Sequence, residues 1–203
     1  MTITRRLLLN MISFSPLLPH LSFAESIMER IPERSFGDNS APLVVTEWFS
    51  FTCIHCAHFN KEVFPEIKKN LIDTGKIRYV FKDMPMDKLG LYAALISRRL
   101  PKDKYLAFVD TLLNTQESWA FGANEADPLS KLRQQSIMAG LSTTEFDEII
   151  NDKETRDILI KQTEADQNQY GLTGTPSFLF PSNKIKSGAL TYDEFIKNLS
   201  SIA

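Results

Sequence analysis

Cysteine is scarce in this chain, with two among 203 residues. So few exclude a fold held together by distant disulfide staples. The two stand at positions 53 and 56. A bond between them would close a loop of about four residues and add little chain-entropy stabilisation. Histidine is scarce too, at 20, 55 and 58. Such a set cannot build a dispersed zinc site of three or four ligands, so no metal is expected. Covalent haem is excluded because Ala57, not histidine, follows the second cysteine. No basic block exists and the net charge is -2, which leaves no sign of a nucleic-acid partner. No uninterrupted apolar run is long enough to span a bilayer. Repeats and low-complexity tracts are also missing.

What remains is an ordinary globular composition, 43% hydrophobic and 24% charged. The length suits one domain or a domain carrying an insertion, with enough chain to bury a core.

The first 24 residues read as an export signal. Arg5 and Arg6 form a basic start. Leu7 to Phe23 are mostly apolar, interrupted by Asn10, Pro16, Pro19 and His20. Ser22 and Ala24 place small residues where signal peptidase needs them, for a cut after Ala24. The expected route of export is Sec. Thr4-Arg5-Arg6-Leu7-Leu8-Leu9 also resembles a twin-arginine signal.

Residues 25–36 read as a polar lead-in, and Gly37 to Pro42 as a turn. Leu43 to Phe49 are apolar except for Thr46 and Glu47, and rich in β-branched and aromatic residues. That pattern predicts a buried central strand. The cysteines follow at once. Residues 56–73 predict a helix kinked at Pro65 and ended by Gly75. Ile77 to Phe81 predict a second strand. The cysteines thus sit beyond the carboxyl end of a strand in a β-α-β unit, where function usually lies in open α/β sheets.

From Asp87 to Asp152 the periodicity is helical only. Asp127-Pro128 suggests a helix start, Gly140 a stop, and Ser142 with Glu145 a capping box. These residues predict an all-helical insertion. A long helix over 153–170 stops at Gly171. Ser177 to Phe180 and Lys184 to Ser187 predict a hairpin turning through Pro181 and Asn183. Thr191 and Glu194 form a second capping box, opening a helix that buries Phe195 and Leu199. The chain divides into 1–24 (signal), 25–86 (first part of an α/β domain, with the cysteines), 87–152 (helical insert) and 153–203 (second part).

The motif Cys53-Ile54-His55-Cys56 carries the chemistry. At a helix N-terminus, unpaired N–H groups and the helix dipole favour an anion. His55 can add positive charge. Both stabilise a Cys53 thiolate, and Cys56, one turn on, can attack a mixed disulfide there. A fall in thiol pKa from about 8.5 to about 4 would favour the reduced form by about 4 kcal/mol at pH 7, or roughly 90 mV toward oxidising behaviour. An inert structural disulfide is disfavoured by the small loop.

Gly174-Thr175-Pro176 precedes an apolar strand. A proline opening a central strand cannot donate to the ladder, and a cis Thr175–Pro176 bond beside the thiols gives it a reason. Glu47 lies six residues before Cys53, inside the apolar strand. It reads either as a proton acceptor for Cys56, with Lys82 as its partner, or as a strand-edge glutamate reaching solvent. His58 reads as an ordinary helix-face residue. Trp48, Phe49, Phe51 and Phe59 read as core or groove wall, and Met84 and Met86 as core packing rather than groove lining.

These residues together resemble the DsbA family of periplasmic thiol–disulfide oxidoreductases. The resemblance rests on Gly37-x-x-x-Ala41-Pro42, on Glu47-Trp48-Phe49-Ser50-Phe51-x-Cys53-x-His55-Cys56, on Gly174-Thr175-Pro176-Ser177-Phe178, and on Gly188-Ala189-x-x-Tyr192-x-x-Phe195. It implies a thioredoxin fold interrupted by helices and oxidation of newly exported proteins. A quinone-linked membrane partner of the DsbB type would restore the disulfide, with no cofactor. It implies Cys53 as nucleophile, Cys56 as resolving cysteine, His55 as the tuning residue, and Thr175 with cis Pro176 against the client backbone. Ile54 departs from the family's best-known motif, which has proline there, so Ile54 also bears on the redox poise. Isomerase relatives carry a long N-terminal assembly segment. About a dozen residues separate Ala24 from Gly37, so a monomeric oxidase is expected. The alternatives are a reductase or isomerase of the same fold, or a binding protein without redox activity.

Overall fold

The computed structural model describes residues 30–122 and 127–200. The export signal expected over 1–24 lies outside them. Five strands form one mixed sheet: β1 (Arg34–Phe36), β2 (Leu43–Phe49), β3 (Ile77–Asp83), β4 (Ser177–Phe180) and β5 (Lys184–Ser187). Their spatial order is β1-β3-β2-β4-β5. β2 is central, parallel to β3 and antiparallel to β4, and β1 adds antiparallel to the outer side of β3. This is a thioredoxin-like fold with several helices added.

β2 is buried on both faces from Glu47 to Phe49, while Val44 on its first half is exposed. Val45, Glu47 and Phe49 point to one side and Trp48 to the other, all buried. The first side meets an aromatic core that includes Phe59, Tyr79, Phe81, Phe178 and Phe195. Removing one such ring would cost about 3 to 5 kcal/mol. Trp48 packs with Met84 and Leu172, and its Nε1 donates to Asp166 Oδ2 at 2.8 Å.

β1 corrects the polar lead-in expected over 25–36. Arg-Ser-Phe carries no strand signal of its own. It becomes a strand because β3 offers it a main-chain edge and because Arg34 finds acceptors: its Nη2 donates to the carbonyls of Arg98 and Leu100 at 2.7 and 2.6 Å.

Helix α1 (Ile54–Glu62) starts directly after Cys53, two residues earlier than the sequence suggests. It breaks at Val63 and gives way to α2 (Phe64–Ile67), with Pro65 in the first turn, where no intrahelical N–H is required. A π-helical turn over Lys68–Ile72 follows, and Gly75, at φ +71°, leads into β3.

Between β3 and β4 the described elements are all helices. They form α3 (Lys88–Arg99), α4 (Lys102–Asn114), α5 (Gln116–Trp119), α6 (Pro128–Met138), α7 (Thr143–Asn151) and α8 (Lys153–Tyr170). The capping box of Ser142 and Glu145 opens α7, and that of Thr191 and Glu194 opens α9 (Tyr192–Leu199). Asp127 precedes α6, but its side chain makes no capping bond. α8 ends where Gly171 turns left-handed at φ +64°. Asn183, at φ 56°, completes the β4–β5 turn. A buried ion pair fastens α3 to the end of β3, with Arg98 Nε 2.5 Å from Asp83 Oδ2.

Candidate active site

β2 ends at Phe49, and the chain turns through Ser50 before α1 begins. The Cys53 N–H donates to the Ser50 carbonyl at 3.2 Å, and the Ser50 and Thr52 hydroxyls lie 3.1 Å apart. Cys53 is therefore the N-cap of α1, with φ −86° and ψ 117°. Its Sγ accepts from the Cys56 N–H at 3.4 Å, the place a capping serine oxygen would take. Both thiols are free. Cys53 is 7% exposed and Cys56 is fully buried.

This geometry separates the two thiols chemically. The hydrogen bond from the Cys56 thiol lowers Cys53 most, burial opposes it, and Thr175 with the N–H groups of Cys56 and His55 adds to the lowering, to about 5. Cys56 is pushed well above the usual thiol range, first by burial and then by serving Cys53 as donor. One cysteine is thus a thiolate at neutral pH and the other a thiol.

His55 contributes through its main chain, since its N–H faces the sulfur while the residue itself is exposed. Ile54 occupies the first helical position and is 63% exposed. His58 is exposed on α1. Beside Ile54 and His58 a groove of about 520 Å³ runs to Leu113, Gln116 and Ser118.

The Thr175–Pro176 bond is cis, just before β4. Thr175 presents two groups to the site. Its carbonyl accepts from the Cys53 thiol at 3.2 Å, a contact that exists only while the sulfur carries its proton. Its hydroxyl favours the thiolate instead. The donors together outweigh the carbonyl, so the lowering of Cys53 stands. The same hydroxyl donates to Met86 Sδ at 3.3 Å. Met86 is 62% exposed, which corrects its expected place in the core, whereas Met84 is buried as expected.

Glu47 is buried, and its Oε2 accepts from the Tyr79 hydroxyl at 2.8 Å. Burial raises its carboxyl to about 8, with the Tyr79 bond opposing and the Cys53 charge assisting. The expected partner, Lys82, lies on the other face. Parallel pairing sets Glu47 opposite Phe81 and Trp48 opposite Lys82, so Lys82 points with Trp48 and pairs with Asp166 at 2.8 Å. Tyr79 pairs with Val45, which shares the face of Glu47. Sequence reasoning missed Tyr79 and the Met86 contact. A parallel register fixed at one residue would have found Tyr79, whereas nothing in the sequence joins Met86 to Thr175.

Among the described residues, no group of three or more His, Cys, Asp or Glu side chains could hold a metal ion. No helix among them is long and apolar enough to cross a membrane.

Known proteins resemble this chain. A thioredoxin family model matches residues 29–200. A Rickettsia felis protein assigned as a protein-disulfide oxidoreductase is 31% identical over 158 residues, covering 77% of this chain and 55% of that one. The chain thus spans little more than half the length of that relative. Disulfide bond formation protein D of Bacillus subtilis is 26% identical, with 78% of this chain and 71% of that one covered. Among solved structures, Wolbachia pipientis alpha-DsbA1 superposes with a TM-score of 0.75 at 30% identity, over 84% of this chain and 90% of that one.

Proposed function

This chain belongs to the thioredoxin family, among its DsbA-like members, and from that membership we propose that it introduces disulfide bonds into exported proteins. The observation that carries the reading is the pairing of a thiol at about 5 with one held well above the usual range, on the first turn of one helix.

In the working direction a client thiolate attacks Cys53 Sγ of the Cys53–Cys56 disulfide. The S–S bond breaks and Cys56 leaves with the electron pair. It must take a proton, because its buried thiolate is disfavoured. Glu47, protonated up to about pH 8, is the group coupled to it that holds one. A second client thiolate then attacks the client sulfur of the mixed disulfide, and Cys53 leaves as the better leaving group. Two electrons end on the Cys53–Cys56 pair, and the client gains a disulfide. In the reverse direction the ionised fraction of Glu47, which grows as pH approaches about 8, accepts the Cys56 proton as that thiol resolves a mixed disulfide.

A magnitude supports the oxidising direction. A thiol at about 5 instead of the usual 9 stabilises the reduced form by about 3 kcal/mol at pH 7, equal to about 60 mV toward oxidation. This is smaller than the sequence-based figure because burial opposes the donors.

Clients dock as extended segments along Thr175 and Pro176, with main-chain pairing for affinity and the groove beside Ile54 for side chains. His55 tunes the site further through its ring. The site is complete within one chain, which suits a monomer working in the periplasm, and a membrane partner of the DsbB type restores the disulfide. The helical segment over 87–152 is an insert in a domain made of 25–86 and 153–203.

The test is the equilibrium redox potential of Cys53–Cys56 against glutathione, together with oxidative refolding of a reduced client. A potential more oxidising than glutathione and rapid client oxidation are expected. A reducing potential, combined with efficient repair of scrambled ribonuclease, would assign the chain to reduction or isomerisation.

A further inference from the structure

Met86 is an exposed methionine beside a redox centre, and the proposed activity leaves it unused. It follows β3 in the loop before α3, and its Sδ accepts from the Thr175 hydroxyl at 3.3 Å. Thr175 in turn touches Cys53, with its carbonyl 3.2 Å from Sγ. A threonine hydroxyl has one proton to give. Given to Met86, it is withheld from Cys53. A thioether is a weak acceptor, so in the unmodified protein the competition is mild.

We infer that Met86 is a positioning residue and a modification site: it competes with Cys53 for the Thr175 hydroxyl, and conversion of Met86 to its sulfoxide makes the enzyme a weaker oxidant. The inference rests on the oxidase reading above for its consequence, but its physical core, the hydrogen bond from the Thr175 hydroxyl to Met86 beside a threonine whose carbonyl touches Cys53, is independent of client or direction.

The chemistry needs a peroxide. The Met86 sulfur lone pair attacks one peroxide oxygen, the O–O bond breaks, an S–O bond forms, and water leaves when the peroxide is hydrogen peroxide. The thioether is oxidised by two electrons and the peroxide reduced by two. The product oxygen is a much stronger hydrogen-bond acceptor than the sulfur. It holds the Thr175 hydroxyl away from Cys53. With one donor fewer, the thiolate is less favoured and the reduced state loses part of its stabilisation. Met86 is open to the reagent at 62% exposed, whereas Met84 is buried. Replacing Met86 by leucine does the reverse and frees the hydroxyl for Cys53. Cys56 and Glu47, the titratable side chains coupled to Cys53, are unchanged throughout.

The experiment uses the full chain. The disulfide form, whose thiols are protected, is treated with hydrogen peroxide, checked by mass spectrometry and then reduced. The Cys53 thiolate is titrated by its absorbance near 240 nm. The midpoint should rise by up to about one pH unit after oxidation and fall in M86L, since one hydrogen bond to a charged group is worth about that much. Methionine sulfoxide reductases should reverse the rise. M138L controls for oxidation at Met138, which is 79% exposed, and should respond to peroxide as the unaltered chain does. In T175V both shifts should vanish, which separates competition for the hydroxyl from a mere change of bulk. Equal midpoints in all forms, or the same shifts in T175V, would overturn the inference. A reducing potential with normal midpoint shifts would overturn the oxidase reading and leave this one standing.

Discussion

The Tyr79 hydroxyl donates to Glu47 Oε2 across 2.8 Å, and both groups are buried and coupled electrostatically to Cys56. The tyrosine does what a cation would do elsewhere, lowering a buried carboxyl, but without a charge of its own. It therefore leaves Glu47 protonated at neutral pH. Tyr79→Phe removes the donor, so Glu47 should titrate above its value of about 8. The pH dependence of Cys56 attack on a mixed disulfide at Cys53 should move to higher pH. An unchanged profile in a folded Y79F protein would show that Glu47 is not the proton acceptor.

Glu47→Gln keeps the acceptor for Tyr79 and removes the titration. Folding raises the Glu47 carboxyl from 4.5 to about 8. The folded chain thus holds a proton that the unfolded chain releases, and stability falls as pH rises from about 4.5 to about 8. E47Q should match the unaltered chain at pH 4 and exceed it at pH 8 by a few kcal/mol. Urea midpoints at the two pH values measure this. A pH-independent difference would refute the placement of a raised carboxyl at 47.

The reduced protein should be more stable than the oxidised one at pH 7. Folding lowers Cys53 from the usual 9 to about 5, so the thiolate's contribution is full above pH 9 and is lost as pH falls through about 5. Denaturant midpoints of both forms should differ in favour of the reduced form at pH 7. They should converge near pH 4. A more stable oxidised form at pH 7 would be incompatible with a strong oxidant.

Limiting iodoacetamide at pH 6 should label Cys53 before Cys56. Cys53 is the ionised sulfur and keeps some exposure, while Cys56 is sealed and protonated. Peptide mapping by mass spectrometry reads the order, and first labelling of Cys56 would reverse the roles.

Ile54→Pro should fold without loss. Ile54 is the first residue of α1, a position whose N–H has no intrahelical partner and whose backbone suits proline. Thermal unfolding should show a change between zero and about 1 kcal/mol of stabilisation. A loss of more than 1 kcal/mol would mean that the Ile54 side chain or N–H supports the motif.

The amino-acid sequence determined what local chemistry can determine. Ser142 with Glu145 and Thr191 with Glu194 cap helices because the partners lie three residues apart. Gly171 stops α8 because a left-handed residue costs glycine least. Leu43 to Phe49 announce a central strand because both faces must be apolar, and the place of Cys53 at a helix start follows from the strand that ends just before it. What the tertiary structure decided depends on segments distant in the chain. Arg34–Phe36 is a strand only because β3 offers it an edge and α3 offers Arg34 its carbonyls. Lys82 reads as the partner of Glu47 by proximity alone. Strand pairing turns it to the opposite face, where Asp166 meets it, and gives Glu47 to Tyr79. Met86 meets Thr175, 89 residues away, at a contact that no periodicity encodes. Register fixes these partners, because a side chain's face alternates with every residue and its neighbour across the sheet is set by main-chain pairing, not by distance along the chain.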